Sequence, residues 1–157
     1  IIKNEDAKIK WVAKKNLHLT LKFLGELDED KILLVEEALA NLKFKRFNLE
    51  LDKVRWFPND DRINIIWVGL KPEMELLNLH GEIELKLGSL SKKDDRFSVH
   101  LTIGRVKFVK NKKRFLNSLK KVKVQLDNFL VKDFSLVMSE LTKDGPRYKI
   151  IRKYDMM

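Results

Sequence analysis

Residues 16–25 read Asn-Leu-His-Leu-Thr-Leu-Lys-Phe-Leu-Gly, a strict alternation of polar and apolar side chains. Because neighbouring side chains of a strand point to opposite faces, the alternation predicts a strand with a buried apolar side, ending at Gly25. Residues 97–106 alternate in the same way. Both predicted strands contain a histidine and a threonine separated by one residue, namely His18 and Thr20 in the first and His100 and Thr102 in the second.

The rest of the chain predicts helices and antiparallel strands around these two segments. Asp28 is a predicted N-cap, Pro72 precedes a predicted helix and Asn111 opens a basic one. The predicted helices cover residues 29–42, 73–87 and 111–122, and the further predicted strands cover residues 47–57, 62–70, 129–141 and 147–154, the last two joined by a turn at 143–146. Helices mixed with hairpins indicate an α+β fold with a largely antiparallel sheet.

Composition limits the class of protein. The 157 residues are 44% hydrophobic, which suits one domain with a sizeable core. The absence of cysteine excludes disulfides, thiol nucleophiles and zinc–thiolate sites. No apolar run approaches the roughly 20 residues that span a bilayer, so we predict a soluble, cytoplasmic protein. A net charge of +10 favours polyanionic partners, although heat-adapted proteins also have lysine-rich surfaces.

The duplicated histidines and threonines suit chemistry on a phosphodiester. An unperturbed imidazole titrates near pH 6.5, so at neutral pH one ring can act as a base while the other acts as an acid. Threonine hydroxyls can donate hydrogen bonds to phosphate oxygens as charge shifts in the transition state. The third histidine, His80, has no threonine partner and is predicted to be solvated surface. No carboxylate lies at a ligand-like spacing from either motif histidine, so we predict neither a metal nor a cofactor.

The motifs extend well beyond these four residues. Residues 11–25 begin Trp-Val and end Leu-Lys-Phe-Leu-Gly, residues 96–106 read Arg-Phe-Ser-Val-His-Leu-Thr-Ile-Gly-Arg-Val, and Ser139-Glu-Leu and Gly145-Pro-Arg-Tyr148 follow near the end. Over essentially its whole length, the chain resembles the two-histidine phosphoesterase superfamily. Within it, the chain is most similar to the RNA 2′,3′-cyclic phosphodiesterases, which are also described as 2′-5′ RNA ligases.

The resemblance implies two pseudo-symmetric lobes, each an antiparallel sheet with helices on its outer face, with a basic cleft between them. It implies a single bilobal domain over residues 1–157. The family opens with a strand and a helix before its first motif. Here only residues 1–10 precede Trp11, and residues 1–9 are the expected remnant of that opening. We therefore expect that this opening strand and helix are missing or truncated.

The resemblance also implies an activity, the metal-independent and cofactor-free hydrolysis of a terminal RNA 2′,3′-cyclic phosphate to a 2′-phosphate. His18 would be the acid that protonates the 3′ oxygen, and His100 the base that acts on water. Thr20 and Thr102 would bind the phosphate, and Arg105 would help to neutralise it. Simple alternation points Arg105 away from the His100 side, so this last role requires a bulge or a strand end near Gly104.

Two other functions are compatible with the same residues. The first is the joining reaction, in which a 2′-5′ RNA ligase unites ends such as those of tRNA halves. The second is a non-catalytic RNA-binding module that uses the positive charge alone. In each case the expected partner is RNA rather than a membrane, and for the hydrolase it is an RNA end with a 2′,3′-cyclic phosphate. We expect a monomer.

Overall fold

The computed structural model describes residues 5–94, 96–125, 127–143 and 145–157. In these parts of the chain it has three helices and seven strands. The helices are α1 (Glu29–Ala40), α2 (Glu73–Leu87) and α3 (Lys112–Lys120). The strands are β1 (Ala7–Trp11), β2 (Phe47–Pro58), β3 (Ile63–Lys71), β4 (Leu101–Val109), β5 (Asn128–Val131), β6 (Asp133–Thr142) and β7 (Gly145–Asp155). The predicted α+β class is confirmed.

The chain divides into two compact units. The first comprises Ile1–Leu19, Leu49–Glu73 and Ser98–Phe129, and the second comprises Thr20–Asn48, Met74–Phe97 and Leu130–Met157. A five-stranded sheet has the order β1-β4-β3-β2-β5, and β6 pairs with β7 in a separate ladder. The pairs β1–β4, β2–β3, β3–β4 and β6–β7 are all antiparallel. The single bilobal domain stays a prediction, and parts of the expected N-terminal remnant (residues 1–4) and of the turn at 143–146 (residue 144) lie outside the described residues.

The core of the first unit lies between α3 and one face of the sheet. Phe115 and Leu119 of α3 are almost fully buried, together with Ile66 of β3. The helix begins where it was predicted, because the side chain of Asn111 accepts a hydrogen bond from the backbone N–H of Arg114. Since α3 covers this face, the alternate side chains of the same strands belong to the opposite face, which carries the candidate site described below.

The core of the second unit is built on the apolar sides of α1 and α2. Val35 and Leu39 are buried on α1, and the rings of Phe134 and Tyr154 stack with centroids 5.0 Å apart. The predicted N-cap is confirmed, since the Asp28 carboxylate accepts a hydrogen bond from the backbone N–H of Lys31 at 2.9 Å. That N–H, followed by the Lys31 side chain, lowers the pKa of the Asp28 carboxyl group.

The first predicted strand, residues 16–25, is wrong. Residues 14–16 form a 3-10 turn, and residues 17–25 have no regular secondary structure. The physical reason is that β4 already pairs with β1 on one edge and with β3 on the other, so the chain leaves the sheet after Val12. The predicted apolar side is also not buried as a whole. The side chain of Lys22 is 3% exposed, whereas Phe23 is 80% exposed.

Two other predicted strands differ in their bounds. The second motif strand begins at Leu101 rather than at residue 97, so His100 lies immediately before β4. The single strand predicted for residues 129–141 is two strands, β5 and β6, separated by Lys132. The backbone carbonyl of Lys132 instead accepts a hydrogen bond from the N–H of Met156 at 2.8 Å.

Candidate active site

His100 lies immediately before β4 and contacts two aromatic rings. Its imidazole meets Phe57 and Trp67 edge to face, with centroid distances of 5.6 and 6.0 Å. Those two rings stack on each other at 4.9 Å, and the guanidinium of Arg55 lies 5.5 Å from the Trp67 ring centroid. Contacts from two strands therefore restrict the tilt of the imidazole, while the residue itself stays half-buried.

The two motif histidines have the same local hydrogen bond. The Nδ1–H of His18 donates to the backbone carbonyl of Asn16 at 2.8 Å, and the Nδ1–H of His100 donates to the backbone carbonyl of Ser98 at 2.8 Å. A carbonyl oxygen only accepts, so in both rings Nδ1 carries the hydrogen. Nε2 is therefore the nitrogen that can exchange a proton with a bound molecule, in His18 and in His100 alike.

Backbone pairing joins the start of the first motif to the second motif. The N–H of Val12 donates to the carbonyl of Ile103 at 2.9 Å, which continues the antiparallel pairing of β1 with β4. His18 follows Val12 and His100 precedes Ile103, and both belong to the first unit. Thr20, two residues after His18, belongs to the second.

A bulge in β4 determines where Arg105 points. Thr102 pairs with Trp67, whereas Arg105 pairs with Ile65, so a step of three residues on β4 matches a step of two on β3. The extra residue is Ile103, which packs toward the core of the first unit. Partners in a ladder share a face, and residues two apart on β3 share a face, so Thr102 and Arg105 lie on the same side of the sheet. Arg105 is exposed there.

Close packing favours the glycine between the bulge and Arg105. A Cβ atom at Gly104 would lie 3.0 Å from Ile9 Cγ2 and 3.0 Å from Trp11 Cε3, tighter than ordinary van der Waals contact. Trp11 is the β1 residue registered opposite Gly104, so its ring covers the glycine on the core side of the sheet. The Ile-Gly-Arg part of the second motif therefore combines a bulge, a covered glycine and an exposed cation.

His80 is not solvated surface, and that prediction was wrong. The residue is 8% exposed, and its ring stacks on Phe97 with centroids 4.1 Å apart. Its Nδ1–H donates to the backbone carbonyl of Leu21 at 2.9 Å. The signal was present in the sequence, since His80 follows Leu76 by four residues and precedes Ile83 by three, the spacing of one helix face.

Lys22, which the sequence places in the first motif, is buried in an ion pair. Its ammonium group contacts the carboxylate of Glu84 on α2 and donates to the backbone carbonyl of Lys92 at 2.8 Å. The same carboxylate accepts from the backbone N–H of Asp94 at 3.4 Å. We call Lys22, Glu84 and His80 the buried clamp. It joins the end of the first motif to α2 and to the loop that precedes the second motif.

In residues 5–94, 96–125, 127–143 and 145–157, no three or more His, Cys, Asp and Glu side chains form a group that could hold a metal ion. Within those same ranges, every helix is too short or too polar to cross a lipid bilayer.

Comparison with known sequences gives a consistent result along the chain. A family model described as LigT-like phosphoesterase matches residues 2–67 and again residues 68–148. A protein of Methanocaldococcus jannaschii named RNA 2′,3′-cyclic phosphodiesterase is 40% identical over 93% of this chain and 84% of its own length. A protein of Archaeoglobus fulgidus with the same name is 36% identical over 94% of this chain and 84% of its own length.

Solved structures share the fold. A crystal structure of E. coli LigT complexed with 3′-AMP superposes with a TM-score of 0.74 at 22% identity, covering 99% of this chain and 84% of that one. A crystal structure of a Thermus thermophilus protein gives a TM-score of 0.72 at 26% identity, covering 94% of this chain and 81% of the other.

Proposed function

The chain belongs to the LigT-like phosphoesterase family, and from this membership we propose that it hydrolyses a terminal RNA 2′,3′-cyclic phosphate to a 2′-phosphate, with His18 and His100 as the acid and the base. The name shared by its curated relatives supports the substrate and the reaction. The observation that carries the assignment of the histidines is their identical bond from Nδ1–H to the carbonyl two residues earlier.

That shared bond suits both rings to proton transfer. With Nδ1 holding its hydrogen, a neutral imidazole presents a lone pair on Nε2 and is a base, whereas a protonated imidazole presents an Nε2–H and is an acid. Two such rings on one phosphate supply both functions at neutral pH. The aromatic support around His100 preserves the orientation of its ring during the transfer.

In the proposed reaction a water oxygen attacks phosphorus while the bond from phosphorus to O3′ breaks. Nε2 of His100 takes the proton from the water, and Nε2–H of His18 gives its proton to the departing O3′. The ribose 2′ oxygen keeps the phosphate, and the two imidazoles exchange their protonation states. Solvent protons restore the starting state before the next turnover.

Three side chains would stabilise the charge that develops on the phosphate. The hydroxyls of Thr20 and Thr102 would donate to its non-bridging oxygens, and the guanidinium of Arg105 would pair with them. The bulge at Ile103 supports the role of Arg105, because it puts this exposed cation on the face that carries Thr102.

Product analysis tests this function. Hexaadenylate with a 2′,3′-cyclic phosphate end would be incubated with the protein and the product followed by ³¹P NMR, with and without EDTA. We expect a single 2′-phosphate product, formed at a rate that EDTA changes by less than about twofold, because two imidazoles supply the acid and the base. A 3′-phosphate product, or loss of activity in EDTA, would contradict the proposal.

The same assay separates the alternatives. With a second RNA that carries a 5′-hydroxyl, ligation would give a longer product with a 2′-5′ bond, which resists 3′-5′ ribonucleases. Binding without any new product would indicate the RNA-binding module. Specificity for tRNA halves, the monomeric state, the basic cleft between two lobes and the cytoplasmic location stay predictions.

A further inference from the structure

The face of the sheet that carries Thr102 and Arg105 continues along β1 and β4 away from the histidines. Lys10 of β1 pairs with Arg105, and Lys8 pairs with Phe108. Partners share a face, and Lys8 and Lys10 are two residues apart on one strand, so these side chains lie on one side of the sheet. That side is opposite to the core, since Ala7, Ile9 and Val106 pack around Phe115.

This face combines positive charge with an exposed aromatic ring. Lys8, Lys10, Arg105 and Lys107 are all exposed, and neither strand contains an acidic residue. Lys107 lies in a second bulge of β4, and it lines one open depression together with Lys8 and Lys10. Phe108 is 63% exposed, next to Lys107 in the sequence and opposite Lys8 in the ladder. We call Lys8, Lys10, Lys107 and Phe108 the β1–β4 track.

We propose that the β1–β4 track binds the single-stranded part of the RNA substrate that precedes its cyclic phosphate end. The inference rests on the proposed function, because that function determines where the cyclic phosphate end binds. Lys8, Lys10 and Lys107 would contact successive backbone phosphates, and the ring of Phe108 would stack on a base. The track makes this a site for oligonucleotides rather than for cyclic mononucleotides.

The chemistry of the track matches that of single-stranded nucleic acid sites in general. Such sites pair a line of cations, which follows the backbone, with exposed aromatic rings, which stack on bases of any sequence. A duplex would hide its base faces and leave Phe108 without a contact. Because of the two bulges, Thr102 and Phe108 lie only four ladder steps apart, two along β3 and two along β1. At roughly 3.3 Å per step this is about 13 Å, so the track begins at the phosphate site and extends away from it.

The test compares two substrates in three variants. The substrates are hexaadenylate with a 2′,3′-cyclic phosphate end and adenosine 2′,3′-cyclic phosphate, and the measured quantity is the ratio of their kcat/KM values. Lys107→Glu and Phe108→Ala change the track, whereas Lys113→Glu introduces the same charge change on α3, on the other side of the sheet. We expect the ratio to fall about tenfold in both track variants and to stay within about twofold of the parent in Lys113→Glu.

Two further readouts depend on the physical contacts. For the hexanucleotide, log kcat/KM should fall with log salt less steeply in Lys107→Glu than in the parent. The slope should be about 0.7 less negative, since one phosphate contact is lost. Phe108→Tyr should keep the parental ratio, because a tyrosine ring still stacks. A parental ratio near one would overturn the proposal, and so would a ratio that Phe108→Ala leaves unchanged. A lower ratio that arises only because the track variants self-associate through the β1 edge would also overturn it.

Failure of the track and failure of the proposed hydrolysis give different results. If the parent hydrolyses neither substrate, the hydrolysis proposal fails. Fluorescence anisotropy of fluorescein-labelled hexaadenylate then tests the track directly. Weaker binding by Lys107→Glu and Phe108→Ala than by Lys113→Glu would support it, and equal binding by all three variants would overturn it.

Discussion

Replacing His100 with alanine is expected to lower kcat on a 2′,3′-cyclic phosphate RNA end by about a thousandfold, and His18→Ala by a similar factor. Each substitution removes one Nε2 from the proposed proton transfers, and water is a poor substitute at neutral pH. KM should change far less than kcat, because the predicted phosphate contacts come from Thr20, Thr102 and Arg105.

The fold should survive both substitutions. His18 is exposed, and His100 is half-buried at the edge of its strand. We expect the far-UV circular dichroism spectrum of each variant to match the parent, and the melting temperature to change by no more than about 5 °C. Parental turnover by either folded variant would contradict the proposed role of that histidine.

Lys22→Met is expected to destabilise the protein by about 3 kcal/mol, measured by urea unfolding. The side chain of Lys22 is 3% exposed and that of Glu84 is 16% exposed, so the substitution leaves a largely buried carboxylate without its cation. It also leaves the carbonyl of Lys92 without the ammonium donor. Turnover should fall as well, because Thr20 lies two residues before Lys22.

Two controls separate the buried charge from a general effect of the substitution. Lys120→Met removes an exposed pair with Asp60, whose side chains are 56% and 59% exposed, and should cost less than about 1 kcal/mol. Lys22→Met combined with Glu84→Met removes both charges and should recover part of the lost stability. Equal losses in Lys22→Met and Lys120→Met would show that the clamp does not stabilise the protein as described.

The elements that were predicted correctly have local signals. The side chain of Asp28 caps α1, Asn111 caps α3 and Pro72 precedes α2, so each helix start depends on residues next to it in the sequence. The hairpin of β2 and β3 follows from an alternating run and an apolar run on either side of a short turn. Such signals require no knowledge of the tertiary structure.

The first motif segment could not be predicted in the same way, because strand pairing is not local. Residues 16–25 alternate as a strand does, but both edges of β4 are occupied, and β1, which takes one of those edges, has only five residues. The segment is instead held by side chains, through His80 to the carbonyl of Leu21 and through Lys22 to Glu84.

The residues of the candidate site also differ in whether local sequence signals predict them. The repeated spacing of His and Thr is visible in the sequence, and it selects His18 and His100 without a structure. The side on which Arg105 lies depends on a bulge whose register involves β3, and sequence reasoning could only state the condition for it. The pairing of Lys22 with Glu84 joins residues 62 positions apart, and alternation assigned Lys22 to the wrong side.

The pH dependence of kcat/KM tests the proton-transfer roles most directly. The parent should give a bell-shaped profile, because protonation of His100 removes the base at low pH and deprotonation of His18 removes the acid at high pH. The residual activity of His100→Ala should lose the acidic limb of that bell, and that of His18→Ala should lose the alkaline limb. A bell with both limbs intact in both variants would show that other groups move the protons.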